Sequence, residues 1–270
     1  MPWRRLNPPF TGLISEAWMK RVLSSDLSLR CPSHCWVCGS WPSAPLCEPC
    51  ITAFAQPEWR CTRCALVLPR GSAIRVGARG CSSCQNQESP LTACYAALDY
   101  AYPWDRCIAS FKYGQHPGMA HALARLMWHA PGIAPALEQA ERVVPMPLSS
   151  ERMQQRGYNQ AHELGRALAR RLSSTPTTPQ GETRYSPHVL HRVRDTQAQS
   201  TLDASARAAN LQDACVVLPS DGAEIQGRRI VVIDDIMTTG ASLREAARAL
   251  LQAGAGSVTA VVLARTPAVS

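Results

Sequence analysis

The stretch Arg229-Ile-Val-Val-Ile-Asp-Asp-Ile-Met-Thr-Thr-Gly-Ala-Ser242 decides how this chain folds. Ile230 to Ile233 is an unbroken β-branched run with no polar alternation, the pattern of a strand buried on both faces of a parallel sheet. The run ends in two carboxylates, Asp234 and Asp235. Thr238 to Ser242 then supplies hydroxyls, a glycine and backbone N–H groups where a helix from Leu243 to Leu251 is expected to begin. A turn of that kind is a ready anion site.

The order of these parts has a chemical reason. A sugar phosphate offers vicinal hydroxyls, which two carboxylates can accept, and a phosphate, which needs donors about one turn further on. The segment resembles the phosphoribosyl-pyrophosphate (PRPP) signature of type I phosphoribosyltransferases: four apolar residues, two acids, a short apolar linker, then Thr-Thr-Gly. By that resemblance Asp234, Asp235, Met237, Thr238, Thr239, Gly240, Ala241 and Ser242 bind PRPP. It is not a Walker A loop, because the G-x-x-x-x-G-K-[ST] pattern and its lysine are missing. The alternative is a strand capped by acids and a helix with hydroxyl caps; the complete order favours the PRPP reading.

Twelve cysteines stand in the chain, and eight of them form four C-x-x-C pairs: Cys35/Cys38, Cys47/Cys50, Cys61/Cys64 and Cys81/Cys84. Two such knuckles supply four thiolates at tetrahedral spacing, so the arithmetic gives two structural Zn²⁺ sites. Sequential pairing is simplest, with Cys35, Cys38, Cys47 and Cys50 on one ion and Cys61, Cys64, Cys81 and Cys84 on the other. Interleaved pairing is equally compatible with the spacing. The basic start, with Arg4 and Arg5, carries no apolar signal-peptide region, and the expectation is a reducing, cytoplasmic compartment where thiols bind metal rather than form disulfides. Cys94, Cys107 and Cys215 lie in apolar surroundings and read as small buried thiols.

Length suits one ordinary domain plus a small module, and no apolar run approaches a membrane span. The expected organisation is an N-terminal extension over 1–30, a double zinc ribbon over 31–92 and an α/β domain over 93–270. Residues 1–92 carry ten basic and five acidic side chains, or +5 of the formal +8. Eight thiolates on two Zn²⁺ ions would remove four charges and leave about +1, so overall basicity says little about nucleic acid. Locally, Arg63, Arg70, Arg75 and Arg79 lie between Cys61 and Cys81 with no acid, beside Trp59 and Arg60. Such a loop is either a solvated surface or a track for a phosphate backbone.

Beyond the knuckles, Tyr95 to Tyr100 alternates like a strand, and 104–113 and 118–129 have helical spacing, with Pro131 and Pro135 breaking the second helix. Phe111-Lys112-Tyr113-Gly114 closes the first of these. Arg142 to Ser149 reads as a short strand stopped by prolines. A tight loop with Arg152 and Arg156 should follow as a second anion site, then Asn159 as the N-cap of a helix through Leu172. Residues 173–187 read as linker. Arg192 and Arg194 sit in a polar stretch with the character of a mobile lid. A helix from Ala204 to Leu211, a strand from Ala214 to Leu218 and a closing strand from Val258 to Leu263 complete the pattern.

Together, the four knuckles, Phe111-Lys112-Tyr113, Val144-Pro145-Met146-Pro147, Arg152 with Arg156-Gly157-Tyr158-Asn159-Gln160-Ala161, Arg192 with Arg194-Asp195-Thr196-x-x-Gln199-Ser200, Arg207-x-x-Asn210-Leu211 and the PRPP motif resemble the ComF family (ComFC or GntX-like) over about residues 31–267. The resemblance implies a type I phosphoribosyltransferase fold, a Rossmann-like parallel sheet with helices on both faces, preceded by the cysteine-rich ribbon. It implies PRPP bound with Mg²⁺ at the carboxyl ends of the strands. It also implies a link to natural transformation or, in some relatives, to carbohydrate utilisation, with other competence proteins as partners.

Transfer from PRPP passes through a cationic, oxocarbenium-like centre and releases a polyanion. Arg156, Arg192, Arg194 and Lys112 are the candidates to neutralise pyrophosphate, with Asp234 and Asp235 fixing the ribose. The acceptor is expected to be a base or nucleotide-like. The other readings are a protein that handles single-stranded DNA through the ribbon and its basic loop, and a regulatory PRPP sensor without turnover.

Overall fold

A computed structural model describes residues 33–69, 80–85, 87–173, 184–193 and 214–268. The N-terminal extension, Arg70, Arg75 and Arg79, most of the expected linker, Arg194 and the helix expected from Ala204 to Leu211 lie outside the described residues. The chain divides into two compact units, Met1–Gln56 and Pro57–Ser270, so the two halves of the cysteine-rich region belong to different units.

In the first unit, Ser33 and Ser43 form an antiparallel bridge and the Trp36 N–H donates to the Pro45 carbonyl at 3.0 Å. Helix α1 (Glu48–Phe54) starts directly after Cys47 with a proline in its first turn, where the missing N–H costs nothing. Its described core is small: Cys35, Leu46, Cys50, Ile51 and Ala55.

The second unit opens with the Cys61–Cys64 turn and α2 (Ser82–Gln85) and is built on β1 (Ala93–Asp99), β2 (Arg142–Pro145), β5 (Arg229–Met237) and β6 (Ser257–Arg265). These form one parallel sheet in the order β1-β6-β5-β2. Strands β3 (His191–Arg192) and β4 (Cys215–Val216) pair antiparallel beside it as a separate ribbon. The apolar run at the head of β5 is buried throughout, from Ile230 to Ile233. Ile230, Val232, Val258, Ala260 and Val262 share a core cluster with Leu243, Ala246, Ala247 and Leu250 of α9 (Ala241–Gln252). Val231, Ile233, Val261 and Leu263 take the alternate positions, and α4 (Met119–His129), α5 (Ile133–Gln139) and α7 (Gln160–Ser173) also touch the sheet. Strands whose residues are buried at every position need both faces covered, and these helices cover them.

Helix α3 (Trp104–Tyr113) has the expected limits. Several expectations are corrected. Pro135 does not break helical structure; it stands in the first turn of α5, where N–H groups have no helical acceptor anyway. Arg152 and Arg156 lie not on a loop but on a short helix, α6 (Ser150–Arg156), which Ser149 caps and Gly157 ends at φ +75°. Arg184 to Ser186 are not linker: the Val143 N–H donates to the Arg184 carbonyl at 2.7 Å, and the Ser186 N–H donates back to the Val143 carbonyl at 2.9 Å. Strand β5 does not end at the two acids but continues through them, in register with β6 as far as Met237 opposite Arg265. Helix α8 (Gly222–Ile225) leads into β5. Among the described residues no helix is long and apolar enough to cross a membrane.

Candidate functional site

The carboxyl end of β5 brings the predicted residues to one place. Alternation along a strand sends neighbours to opposite faces, and Asp234 and Asp235 divide accordingly. Asp235 pairs with the Lys112 ammonium of α3 at 3.1 Å, the two side chains being only 10% and 15% exposed, so the contact is largely shielded from water. Asp234 feels Arg192 of β3 in addition to Lys112, and its Oδ1 accepts the Asp235 N–H at 2.8 Å. Burial and the neighbouring Asp235 charge push the Asp234 carboxyl up to about 7, outweighing the pull of the two cations.

Immediately after Met237 the chain turns. Thr238 and Thr239 are exposed, and Gly240 is buried at φ +78° as the N-cap of α9. A Cβ at Gly240 would come within 2.3 Å of the Met237 Cε, so glycine is required both for the left-handed backbone and for the close approach. The Ala241 N–H donates to Thr239 Oγ1 at 3.4 Å. The next amides belong to the first turn of a twelve-residue helix, whose N–H groups have no helical acceptor. The turn is thus an exposed hydroxyl-lined cradle at the positive end of a helix.

A segment distant in sequence, residues 156–160, holds the chain around Lys112 in place. The Tyr158 hydroxyl donates to the Phe111 carbonyl, Gln160 Nε2 donates to the Lys112 carbonyl at 3.3 Å, and the Arg156 guanidinium lies over the Tyr113 ring at 5.2 Å. Arg156 Nη1 donates to Gln160 Oε1 at 3.0 Å, while its Nε is buried with no partner among the described residues. Asn159 caps α7 through the Ala161 and His162 amides and donates to the Met146 carbonyl at 2.9 Å. Asp234, Asp235, Lys112, Arg156 and Arg192 are therefore drawn toward one strand end, whereas Arg194 lies outside the described residues.

The sequence did not single out two arginines. Arg244 of α9 donates to the Thr239 carbonyl at 3.0 Å, bracing the cradle from within. Arg265, the last residue of β6, donates to the Met237 carbonyl at 3.2 Å. Arg244 could have been found as the basic residue four positions after the glycine. Arg265 closes an apolar run and carried no signal.

The cysteines form two tetrads, Cys35-Cys38-Cys47-Cys50 and Cys61-Cys64-Cys81-Cys84, the ligand atoms of each lying within 4.8 Å of one another. This is the sequential pairing. A tetrahedron with Zn–S bonds of about 2.3 Å has edges of about 3.8 Å, and the Cys38–Cys47 and Cys64–Cys81 sulfurs stand 3.7 and 3.8 Å apart. Backbone amides point at the knuckle sulfurs: Cys47 N–H to Cys35 Sγ at 3.4 Å, and Cys81 N–H to Cys61 Sγ at 3.2 Å. All of this is compatible with zinc. The remaining described thiols are buried, and burial pushes Cys94 up to about 12 and Cys215 up to about 11. Of the arginines flanking the second tetrad, Arg60 is not free for a ligand, since it pairs with Asp99 at 2.8 Å. Arg63 donates to the Gln87 carbonyl at 2.5 Å.

The family model for the phosphoribosyl transferase domain matches residues 159–269. The chain is 30% identical to the DNA utilization protein YhgH of Escherichia coli (strain K12) over 249 residues, covering 88% of this chain and 99% of that protein. It is 30% identical to competence protein F of Haemophilus influenzae over 198 residues, 72% of this chain and 82% of the relative. Over 125 residues it is 37% identical to competence protein ComFC of Bacillus subtilis, 46% of this chain and 44% of the relative.

Proposed function

The chain belongs to the ComF family of phosphoribosyltransferase-domain proteins, and on that premise we propose that it binds PRPP and transfers the phosphoribosyl group to a base or nucleotide-like acceptor. The observation that carries this reading is the juxtaposition at the end of β5: Asp235 paired with Lys112, Asp234 adjacent to it, and the Thr238–Ser242 cradle directly after them.

Each residue has a task in the transfer. Asp234 and Asp235 accept hydrogen bonds from the two ribose hydroxyls, and the Thr238 to Ser242 hydroxyls and amides hold the 5′-phosphate. Binding energy far from the reacting bond thereby orients the sugar. The bond from the anomeric carbon to pyrophosphate then breaks, its electron pair leaving on pyrophosphate. The acceptor's nucleophilic atom bonds that carbon and gives up its proton to the departing pyrophosphate or to solvent. Lys112, Arg156 and Arg192, with Arg194, stabilise the charge gathering on the leaving group. Mg²⁺ enters with the substrate, as the magnesium complex of PRPP, and supplies further neutralisation of pyrophosphate. Zn²⁺ in the two tetrads is structural, because four thiolates leave no open position.

The test is pyrophosphate release from PRPP and Mg²⁺ across free bases, nucleosides and single-stranded DNA, in the wild type and in Asp234→Asn/Asp235→Asn. Release that depends on one acceptor class and vanishes in the variant supports transfer. PRPP binding without release from any acceptor moves the protein to a PRPP sensor.

A second reading has its own support. Trp36, Trp41 and Phe54 are exposed in the first unit, and Trp59 is 78% exposed in the second. Exposed aromatic rings are stacking platforms for unpaired bases, and the relatives carry the names DNA utilization protein and competence protein. In this reading the cysteine-rich region of a cytoplasmic protein grips single-stranded DNA or meets other competence proteins. Single-stranded DNA binding that weakens steeply with salt and falls in Trp41→Ala and Trp59→Ala supports it. Binding unchanged in both variants contradicts it.

A further inference from the structure

The second cysteine tetrad and the phosphate cradle share a side chain. Arg265 is only 8% exposed. Its Nε donates to the Cys64 carbonyl at 2.9 Å, and its Nη1 donates to the Met237 carbonyl at 3.2 Å and the Thr266 carbonyl at 2.6 Å. Cys64 is a tetrad member, and Met237 is the residue from which the cradle departs. One planar cation thus fixes a carbonyl of the metal knuckle and a carbonyl at the root of the anion loop.

The surroundings make the link stiff. Met237 is further held by the Thr266 N–H on its carbonyl at 3.0 Å and by the Cys94 thiol against its sulfur at 3.3 Å. Its Cε lies where a Gly240 side chain would be. On the knuckle side, the Cys94 N–H donates to the Thr62 carbonyl at 2.7 Å, and Arg60 Nη1 donates to the Ala65 carbonyl at 3.2 Å. Ala65 itself is fully buried in the same core cluster as Cys94 and Met237. The knuckle is therefore seated on the sheet end that carries the cradle. A shared ion fixes the relative positions of the four thiolates, and its loss loosens the C-x-x-C turn. When it opens, the Cys64 carbonyl leaves a buried guanidinium, which must either lose a bond or drag the Met237 carbonyl with it.

We propose that Arg265 is a positioning residue for the phosphate cradle, coupling occupation of the Cys61-Cys64-Cys81-Cys84 tetrad by Zn²⁺ to PRPP affinity. This deepens, and rests on, the reading of the β5 end as a PRPP site. Coupling between sites is reciprocal: Zn²⁺ in the tetrad tightens PRPP binding, and PRPP tightens binding of that ion by the same equilibrium factor. Lysine is a poor replacement for Arg265, because its one nitrogen cannot stand at both the Nε and the Nη1 positions from which the two carbonyls are reached.

The test is a thermodynamic cycle on the full chain. PRPP affinity, with Mg²⁺, is measured calorimetrically for the wild type, Arg265→Gln, Arg265→Lys, Cys61→Ser/Cys64→Ser and the combination of that pair with Arg265→Gln. Emptying the second tetrad is expected to weaken PRPP binding by about tenfold, within the usual range of site coupling. In Arg265→Gln and Arg265→Lys the affinity starts lower, and emptying the tetrad changes it no further. As a second readout that does not require the cysteine variants to fold, Zn²⁺ transfer to a coloured chelator is followed with and without PRPP. PRPP should retain one ion of the wild type and neither ion of Arg265→Gln. Equal PRPP affinity with the tetrad filled or empty, or PRPP protection that survives in Arg265→Gln, overturns the coupling. A wild type that binds no PRPP overturns the site reading itself and the coupling with it.

Discussion

Asp234 shows how a single residue carries both function and cost. Its carboxyl is held up to about 7 by burial and by Asp235, well above the ordinary carboxylate value. The folded state therefore keeps a proton that the unfolded chain gives up near pH 4. Stability from this group is fullest at low pH and declines as pH rises through the window from about 4 to 7. Asp234→Asn should accordingly raise the melting temperature at pH 8, by a few degrees for an effect on the order of 1–2 kcal/mol. The advantage over wild type should shrink toward pH 4.5. A melting difference that does not change with pH would contradict the assignment. Gly240 makes the opposite point, since at its φ of +78° a side chain is strained and its Cβ would force the Met237 methyl to move. Gly240→Ala should cost about 1 kcal/mol or more in left-handed strain, visible as a lower urea midpoint, and should weaken PRPP binding more than tenfold as the cradle shifts. Wild-type PRPP affinity in this variant would show that the loop does not hold the phosphate. The acid pair and the glycine were legible from the sequence because the chemistry sits within a dozen consecutive residues. Arg265 was not, because its partner Cys64 is 201 positions away.

Among the elements, those with a strong local signal formed as expected. The apolar run at the head of β5, the spacing of α3, and Asn159 as a cap each depend on neighbours in sequence, and local rules suffice. Misreadings arose where one strong residue hid its context. Proline breaks a helix interior but not a first turn, where Pro135 stands, and Ser149, a good cap, and Gly157, a good stop, bound a helix directly after the prolines at 145 and 147. The Asn159 cap is a direct check on whether α7 helps form the proposed PRPP site. Asn159→Ala removes acceptors for two helix amides and a donor to Met146. It should cost about 1–2 kcal/mol, with the urea midpoint lowered and the slope of the transition unchanged. Because Gln160 and Arg156 flank it, PRPP affinity should fall in parallel; a stability loss with unaltered affinity would separate α7 from the site.

On the scale of the molecule, the two units differ in what holds them. The described core of the first is five residues, two of them tetrad cysteines, whereas the second has a sheet covered on both faces. A small module without an apolar core needs its metal to fold. Treatment with a strong zinc chelator should therefore open residues 33–56 to proteases while a fragment spanning the sheet persists. Simultaneous loss of both would show that the sheet also depends on metal for its fold. The four C-x-x-C pairs announced both tetrads, but spacing alone left their pairing open; the folded chain pairs them sequentially. It did not announce that the second is hydrogen-bonded to the sheet, because those contacts run from Thr62 to Cys94 and from Cys64 to Arg265. The central claim is that the end of β5 is a PRPP site, and calorimetric titration of the full-length protein with PRPP and Mg²⁺, beside Asp234→Asn/Asp235→Asn, tests it most directly. Saturable one-to-one binding in the wild type, weakened at least a hundredfold in a variant that still melts cooperatively, is the predicted result. Absence of binding to the wild type, or equal binding to both, would contradict the account.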